Sequence, residues 1–98
     1  MDSILLDEEK IKREIDSLPG WTYNNLSISK SFNFNSFIDA FAFMTKVALI
    51  SESLNHHPDW RNVYSRVDIK LTTHDLGGVT SKDINLAKII NHSANNSK

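Results

Sequence analysis

The sequence predicts an α+β fold: a four-stranded antiparallel sheet with three helices packed on one face. Three observations carry this prediction. Apolar residues recur at three-four spacing in three separate stretches, the mark of amphipathic helices. Between those stretches lie two pairs of short, alternating runs, each pair joined by polar turn residues. The two patterns follow one another as helix, hairpin, helix, hairpin, helix, which suits helices laid on one side of a sheet. With 98 residues, 40 % of them hydrophobic, the chain fits one domain, residues 1–98, and buries only part of its surface.

The first helix is expected from about Asp7 to Leu18. Asp7 can cap it, Glu8 and Glu9 favour its positive end, and Ile11, Ile15 and Leu18 form a stripe. Pro19-Gly20 stops it. Trp21 to Tyr23, a turn at Asn24-Asn25, and Leu26 to Phe34 read as the first hairpin. Its second strand is interrupted by the polar Ser29-Lys30-Ser31, which suggests a bulge or a sheet edge.

The longest helix spans roughly Ser36 to Leu54. Phe37, Ala40, Phe41, Met44, Val47, Ala48 and Ser51 form its main stripe, while Ile38, Phe43 and Ile50 fall off it. The apolar surface is wider than one seam needs, so either a second packing surface or a fully buried helix is implied. Pro58 forbids further helix and makes His57 extended. Asp59 to Tyr64 and Val67 to His74 then form a second hairpin around Ser65-Arg66. Pairing Tyr64 with Val67 sets Trp60, Asn62 and Tyr64 on the apolar face and places His57 opposite His74 and Asp59 opposite Thr72. It also sets Arg61 against Lys70, a like-charge objection to this register that Asp59 and Asp68, diagonally adjacent, would relieve. Leu76-Gly77-Gly78 is a loop. A last helix is expected from about Ser81 to Asn91, with Ile84, Ala87 and Ile90 inward, followed by a frayed polar tail, residues 93–98.

Composition excludes several function classes. Lys+Arg 11 against Asp+Glu 12, a net charge of -1, gives no footprint for nucleic acid and no basic face for a membrane. The absence of cysteine removes disulfides, thiolate metal sites and thiol nucleophiles, and suits a reducing cytosol. The first ten residues predict no signal peptide, and no apolar run approaches the roughly 20 residues that span a bilayer. A cytoplasmic location is expected.

Chemistry concentrates in one place. His56, His57 and His74 lie in or beside the second hairpin, Glu52 sits one turn before His56, and Asp83 opens the last helix. Imidazole titrates near neutrality and so donates and accepts protons at cellular pH. A carboxylate bonded to it fixes its tautomer. Such groups around a pocket suit proton transfer on a heterocycle. Each also has a plainer reading: Asp83 as the third residue of a capping box begun by Thr80, Glu52 as a solvated helix-end charge, Asp59 and Asp75 as polar loop residues. Zn²⁺ or Fe²⁺ bound by three histidines and a carboxylate is the main chemical rival. Against it, adjacent side chains in extended backbone point opposite ways, and no metal-type histidine spacing occurs.

The run Glu52-x-x-x-His56-His57-Pro58, then Tyr64, His74 and Asp83, resembles the signature of pterin-4a-carbinolamine dehydratases. The flanking text agrees: Phe41 to Thr45, Val47-Ala48-Leu49, Trp60, Asn62-Val63-Tyr64, Thr73-His74-Asp75 and Asp83 to Ala87. The resemblance implies a hydro-lyase that dehydrates 4a-hydroxytetrahydropterin (4a-hydroxytetrahydrobiopterin) to quinonoid dihydropterin, recycling the cofactor of aromatic amino acid hydroxylases. It implies no metal and no organic cofactor, a pterin as small-molecule partner, and a homodimer or homotetramer. By the resemblance, His56 and His74 are the acid–base pair, His57 orients substrate, and Asp83 supports the histidines. Glu52, Asn55, Thr72, Thr73 and Asp75 fall where the family binds substrate. Asn55 departs from the acidic residue common in animal members.

Overall fold

Asp7 opens the first helix as its side-chain chemistry dictates, its carboxylate accepting the Lys10 N–H at 2.8 Å. The computed structural model describes residues 4–96. Along them run α1 (Glu8–Asp16), β1 (Thr22–Asn24), β2 (Ser27–Asn33), α2 (Phe37–Leu54), β3 (Asp59–Val63), β4 (Arg66–Leu71), a 3₁₀ turn (His74–Leu76) and α3 (Ser81–Asn95). The α+β class and the helix–hairpin–helix–hairpin–helix order are as the sequence predicts. The sheet is antiparallel throughout, in the order β1-β2-β4-β3. None of its helices is long and apolar enough to cross a membrane, among the described residues.

Alternation explains the two sheet faces. Ile28, Phe32, Val67, Ile69 and Leu71 point to one side and meet Ile11, Phe43, Val47, Ile84, Ala87 and Ile90 from the helices in a single core. Ser29, Ser31, Asp59, Arg61, Asp68 and Lys70 share the other, open face. β2 is a central strand in unbroken register with β4, so the expected bulge or edge at Ser29–Ser31 is not there. Lys30 takes a core-side position because its stem can lie on the Phe32 ring, with Nζ 4.7 Å from the centroid. The ammonium escapes to the Pro19 carbonyl and Asn91 Oδ1.

Four further expectations are corrected. The first hairpin turns at Asn25-Leu26, closed by the Asn24–Ser27 pair, and both turn residues have positive φ. The second turns at Tyr64-Ser65, because Val63 pairs with Arg66. This register differs by two residues from the Tyr64–Val67 pairing, sets Arg61 opposite Asp68 and Asp59 opposite Lys70, and so removes the like-charge clash. His57 is not paired across the ladder with His74, nor Asp59 with Thr72. In α2 the buried positions are Ala40, Phe43, Val47 and Ser51, so Phe43 belongs to the core and Phe37, Phe41 and Ala48 face out. Finally, α3 continues past Asn91 to Asn95, with Ala94 buried; the remainder of the expected frayed tail, residues 97–98, lies outside the described residues.

Candidate active site

The end of α2 creates the site. Asn55 caps the helix in the left-handed conformation (φ 51, ψ 44), while the Asn55 and His56 N–H groups bond back to the Glu52 and Ser51 carbonyls. Asparagine is among the few residues that accept this conformation cheaply. The reversal turns His56 inward and leaves His57 at the surface. Pro58 then commits the chain to β3.

His56 is buried, 9 % exposed, and its Nε2 lies 2.5 Å from Oδ1 of Asp83, which is 0 % exposed. Asp83 also receives the Thr80 N–H at 2.9 Å and the Thr73 hydroxyl at 2.8 Å, both on Oδ2. A capping box between Thr80 and Asp83 is therefore present, and the same carboxylate holds a histidine. With both Oδ2 contacts donated to it, the carboxylate acts as an acceptor. His56 then bears its proton on Nε2 and keeps Nδ1 for a ligand. The Asp83 charge lies within the first turn of α3, where the helix dipole favours it.

A second, exposed pair repeats the arrangement: His57 Nε2 lies 2.8 Å from Glu52 Oε1. Glu52 thus holds His57, one helical turn away in space. His74 begins the 3₁₀ turn, which Gly77 closes with φ 72. Asn55, His56, His57, Thr72, Thr73, His74, Asp75 and Lys82 line one cleft of about 260 Å³. The three histidines do converge, but around a cleft between the α2 terminus and the 3₁₀ turn instead of across a strand ladder. Thr72 reaches the cleft with its hydroxyl donated to the Leu26 carbonyl at 2.8 Å. The Thr73 hydroxyl is turned to Asp83. Two cleft features escaped the sequence reading. Lys82 carries no pattern that would mark it, whereas the anchoring of Asp83 by Thr73 needed the fold.

A larger hollow, about 400 Å³, lies over the open sheet face between Thr22, Ser29, Asp59, Arg61 and Lys70. Its charges partly satisfy one another, through Lys70–Asp59 at 3.6 Å and Ser31 to Asp68 at 2.7 Å. No histidine lines it, so the cleft that gathers three imidazoles is the better candidate for proton chemistry. Among the described residues, no three His, Asp or Glu side chains converge in a way that could hold a metal ion.

Comparison with known proteins decides the family. Residues 4–93 match the family model described as pterin 4 alpha carbinolamine dehydratase. The chain belongs to this family. A Prochlorococcus marinus (strain AS9601) protein, whose name provisionally assigns it as a pterin-4-alpha-carbinolamine dehydratase, is 53 % identical over 91 residues, covering 93 % of this chain and 95 % of that one. A solved structure from Brucella melitensis, described as a transcriptional coactivator/pterin dehydratase, superposes with a TM-score of 0.91 at 41 % identity, over 93 % and 99 % of the two chains. A pterin dehydratase-like protein described as a RuBisCO assembly factor in the alpha-carboxysome shares the fold, with a TM-score of 0.63 at 24 % identity, over 76 % and 86 % of the two chains. In this pterin dehydratase family member, every residue that carried the resemblance between Asn55 and Asp75 and has a proposed site role lines the one cleft. Asp83, buried, and Glu52, exposed, lie outside its lining, each on a histidine.

Proposed function

We propose that the chain is a hydro-lyase that converts 4a-hydroxytetrahydropterin to quinonoid dihydropterin and water. The observation that carries this reading is the buried His56–Asp83 pair opening on the same cleft as His74 and His57. Dehydration needs one proton delivered to the departing C4a hydroxyl and one taken from a pterin ring N–H, so the proton count is unchanged. His56 and His74 are the two carriers. His57, held by Glu52, orients the ring, with Asn55, Thr72, Thr73 and Asp75 around it. The cleft lies just below the usual size range of small-molecule sites, which suits a compact bicyclic ring. General acid–base catalysis supplies roughly 10²- to 10⁴-fold, and positioning in the cleft supplies the remainder. The product is at the dihydro level, and a separate two-electron reduction returns it to the tetrahydropterin cofactor of an aromatic amino acid hydroxylase, in the cytoplasm.

The test is the rate of 4a-hydroxytetrahydropterin breakdown. Purified protein should accelerate it over buffer, and His74→Ala should remove about 10²-fold or more of that acceleration. No acceleration, together with a His74→Ala protein indistinguishable from wild type, refutes the enzyme reading.

A second reading, as a regulatory or assembly partner, draws on the apolar surface of α2 left outside the core: Ile38 is 77 %, Phe41 53 % and Leu49 69 % exposed. Exposed apolar side chains on one helix suit contact with other chains where they form a patch. It accords equally with a homodimer or homotetramer of the enzyme, and the catalytic assay separates the two readings.

A further inference from the structure

We propose that Thr73 and Thr80 are positioning residues whose hydroxyls form one directed relay onto Asp83, and through Asp83 fix the His56 imidazole. The direction follows from counting protons. A threonine hydroxyl owns one proton and two lone pairs. Thr73 Oγ1 donates its proton to Asp83 Oδ2 at 2.8 Å. In its 2.8 Å contact with Thr80 Oγ1 Thr73 must therefore accept, so Thr80 donates. Thr80 Oγ1 in turn accepts the Lys82 N–H at 3.2 Å. The chain runs Lys82 N–H, Thr80 O–H, Thr73 O–H, Asp83 carboxylate, His56 Nε2, without an ambiguous step.

Burial makes each link matter. Thr80 and Asp83 are fully buried and Thr73 nearly so, so water cannot replace a lost donor. Oδ2 holds two donors and leaves Oδ1 to His56 alone. When His56 carries a second proton for transfer, those donors favour carboxylate with imidazolium over carboxylic acid with neutral imidazole. Removing the Thr73 hydroxyl shifts the shared proton toward Asp83 and weakens the acid that His56 presents from Nδ1. Thr73 is on this account no substrate contact through its side chain, although it borders the cleft.

The proposal rests on the dehydratase reading for its kinetic arm only. In protein labelled with ¹⁵N at histidine, the substrate-free wild type should show His56 with its proton on Nε2. In Thr73→Val the protonated His56 should lose imidazolium character at Nε2. The kcat should fall roughly ten- to a hundred-fold at nearly constant KM, the range for losing one hydrogen bond to a charged group. Thr73→Ser should restore both. A Thr73→Val protein with unchanged ¹⁵N signals, or with its loss confined to KM, overturns the relay. If Thr73→Val does not fold, Thr80→Val decides: a change in the same direction at His56 supports the relay, and wild-type signals overturn it. Absence of wild-type turnover would refute the dehydratase reading, while the ¹⁵N measurement would still judge the relay.

Discussion

Asp83 shows how much a single side chain can be asked to do. It is the third residue of a helix capping box, the acceptor of a buried threonine, and the partner of the innermost histidine. Two oxygens suffice for three donors only because a carboxylate has no proton of its own. Asparagine has the same shape but a single carbonyl oxygen, so it can cap the helix or receive His56, not both. Asp83→Asn should therefore lose about 10²-fold or more in kcat. It should also cost about 1–3 kcal/mol in folding stability, since one buried donor is left unmet. A urea titration beside the rate assay checks both. At another single position the backbone is strained: Leu26 sits at φ 65 in the first hairpin turn, where a residue with a bulky side chain is costly. Leu26→Gly should stabilise the fold by up to about 1 kcal/mol, seen as a higher urea midpoint. An unchanged or lower midpoint would mean that Leu26 contributes packing that offsets the strain.

At the scale of elements, α2 and the β3–β4 hairpin show where periodicity suffices and where it does not. A helix apolar on both sides offers two candidate stripes. The core chose the one through Ala40, Phe43 and Val47, where Phe43 packs against Phe32 and Phe34 with ring centroids at 5.1 and 4.9 Å. The other stripe, through Phe37, Phe41 and Ala48, satisfies the same three-four spacing and so could not be rejected from sequence. Phe43→Ala should cost about 3–5 kcal/mol. The hairpin register failed for a related reason. A slip of two residues keeps every side chain on its own face, so the hydrophobic pattern is blind to it. Only the charges discriminate, and they did signal the error: Arg61 against Lys70 is repulsive, whereas the observed ladder pairs each with an aspartate. The turn itself gave no cue, because Tyr64 occupies a positive-φ position (φ 53) usually held by glycine or asparagine.

For the whole molecule, class and element order were legible, since both follow from local periodicity. That the three histidines share one site came from the resemblance, and the register expected to pair His57 with His74 is not the one formed. Their gathering depends on the left-handed turn at Asn55 and on the 3₁₀ turn at His74, neither of which has a hydrophobic period. The two faces of α2 also make a prediction about assembly. Phe41→Glu should leave the core intact, because Phe41 is 53 % exposed, yet shift the sedimentation coefficient toward that of one chain. A wild type that already sediments as one chain would remove the α2 surface as a self-association site.

The sharing of Asp83 between helix cap and imidazole bears on how related sequences are interpreted. A relative that lost the histidine would still need an acceptor here to start α3, and asparagine would serve as well as aspartate. An acceptor at this position is then a marker of the scaffold. Whether a given relative still performs proton chemistry is better judged from its counterparts of His56 and His74, whose side chains the fold could replace.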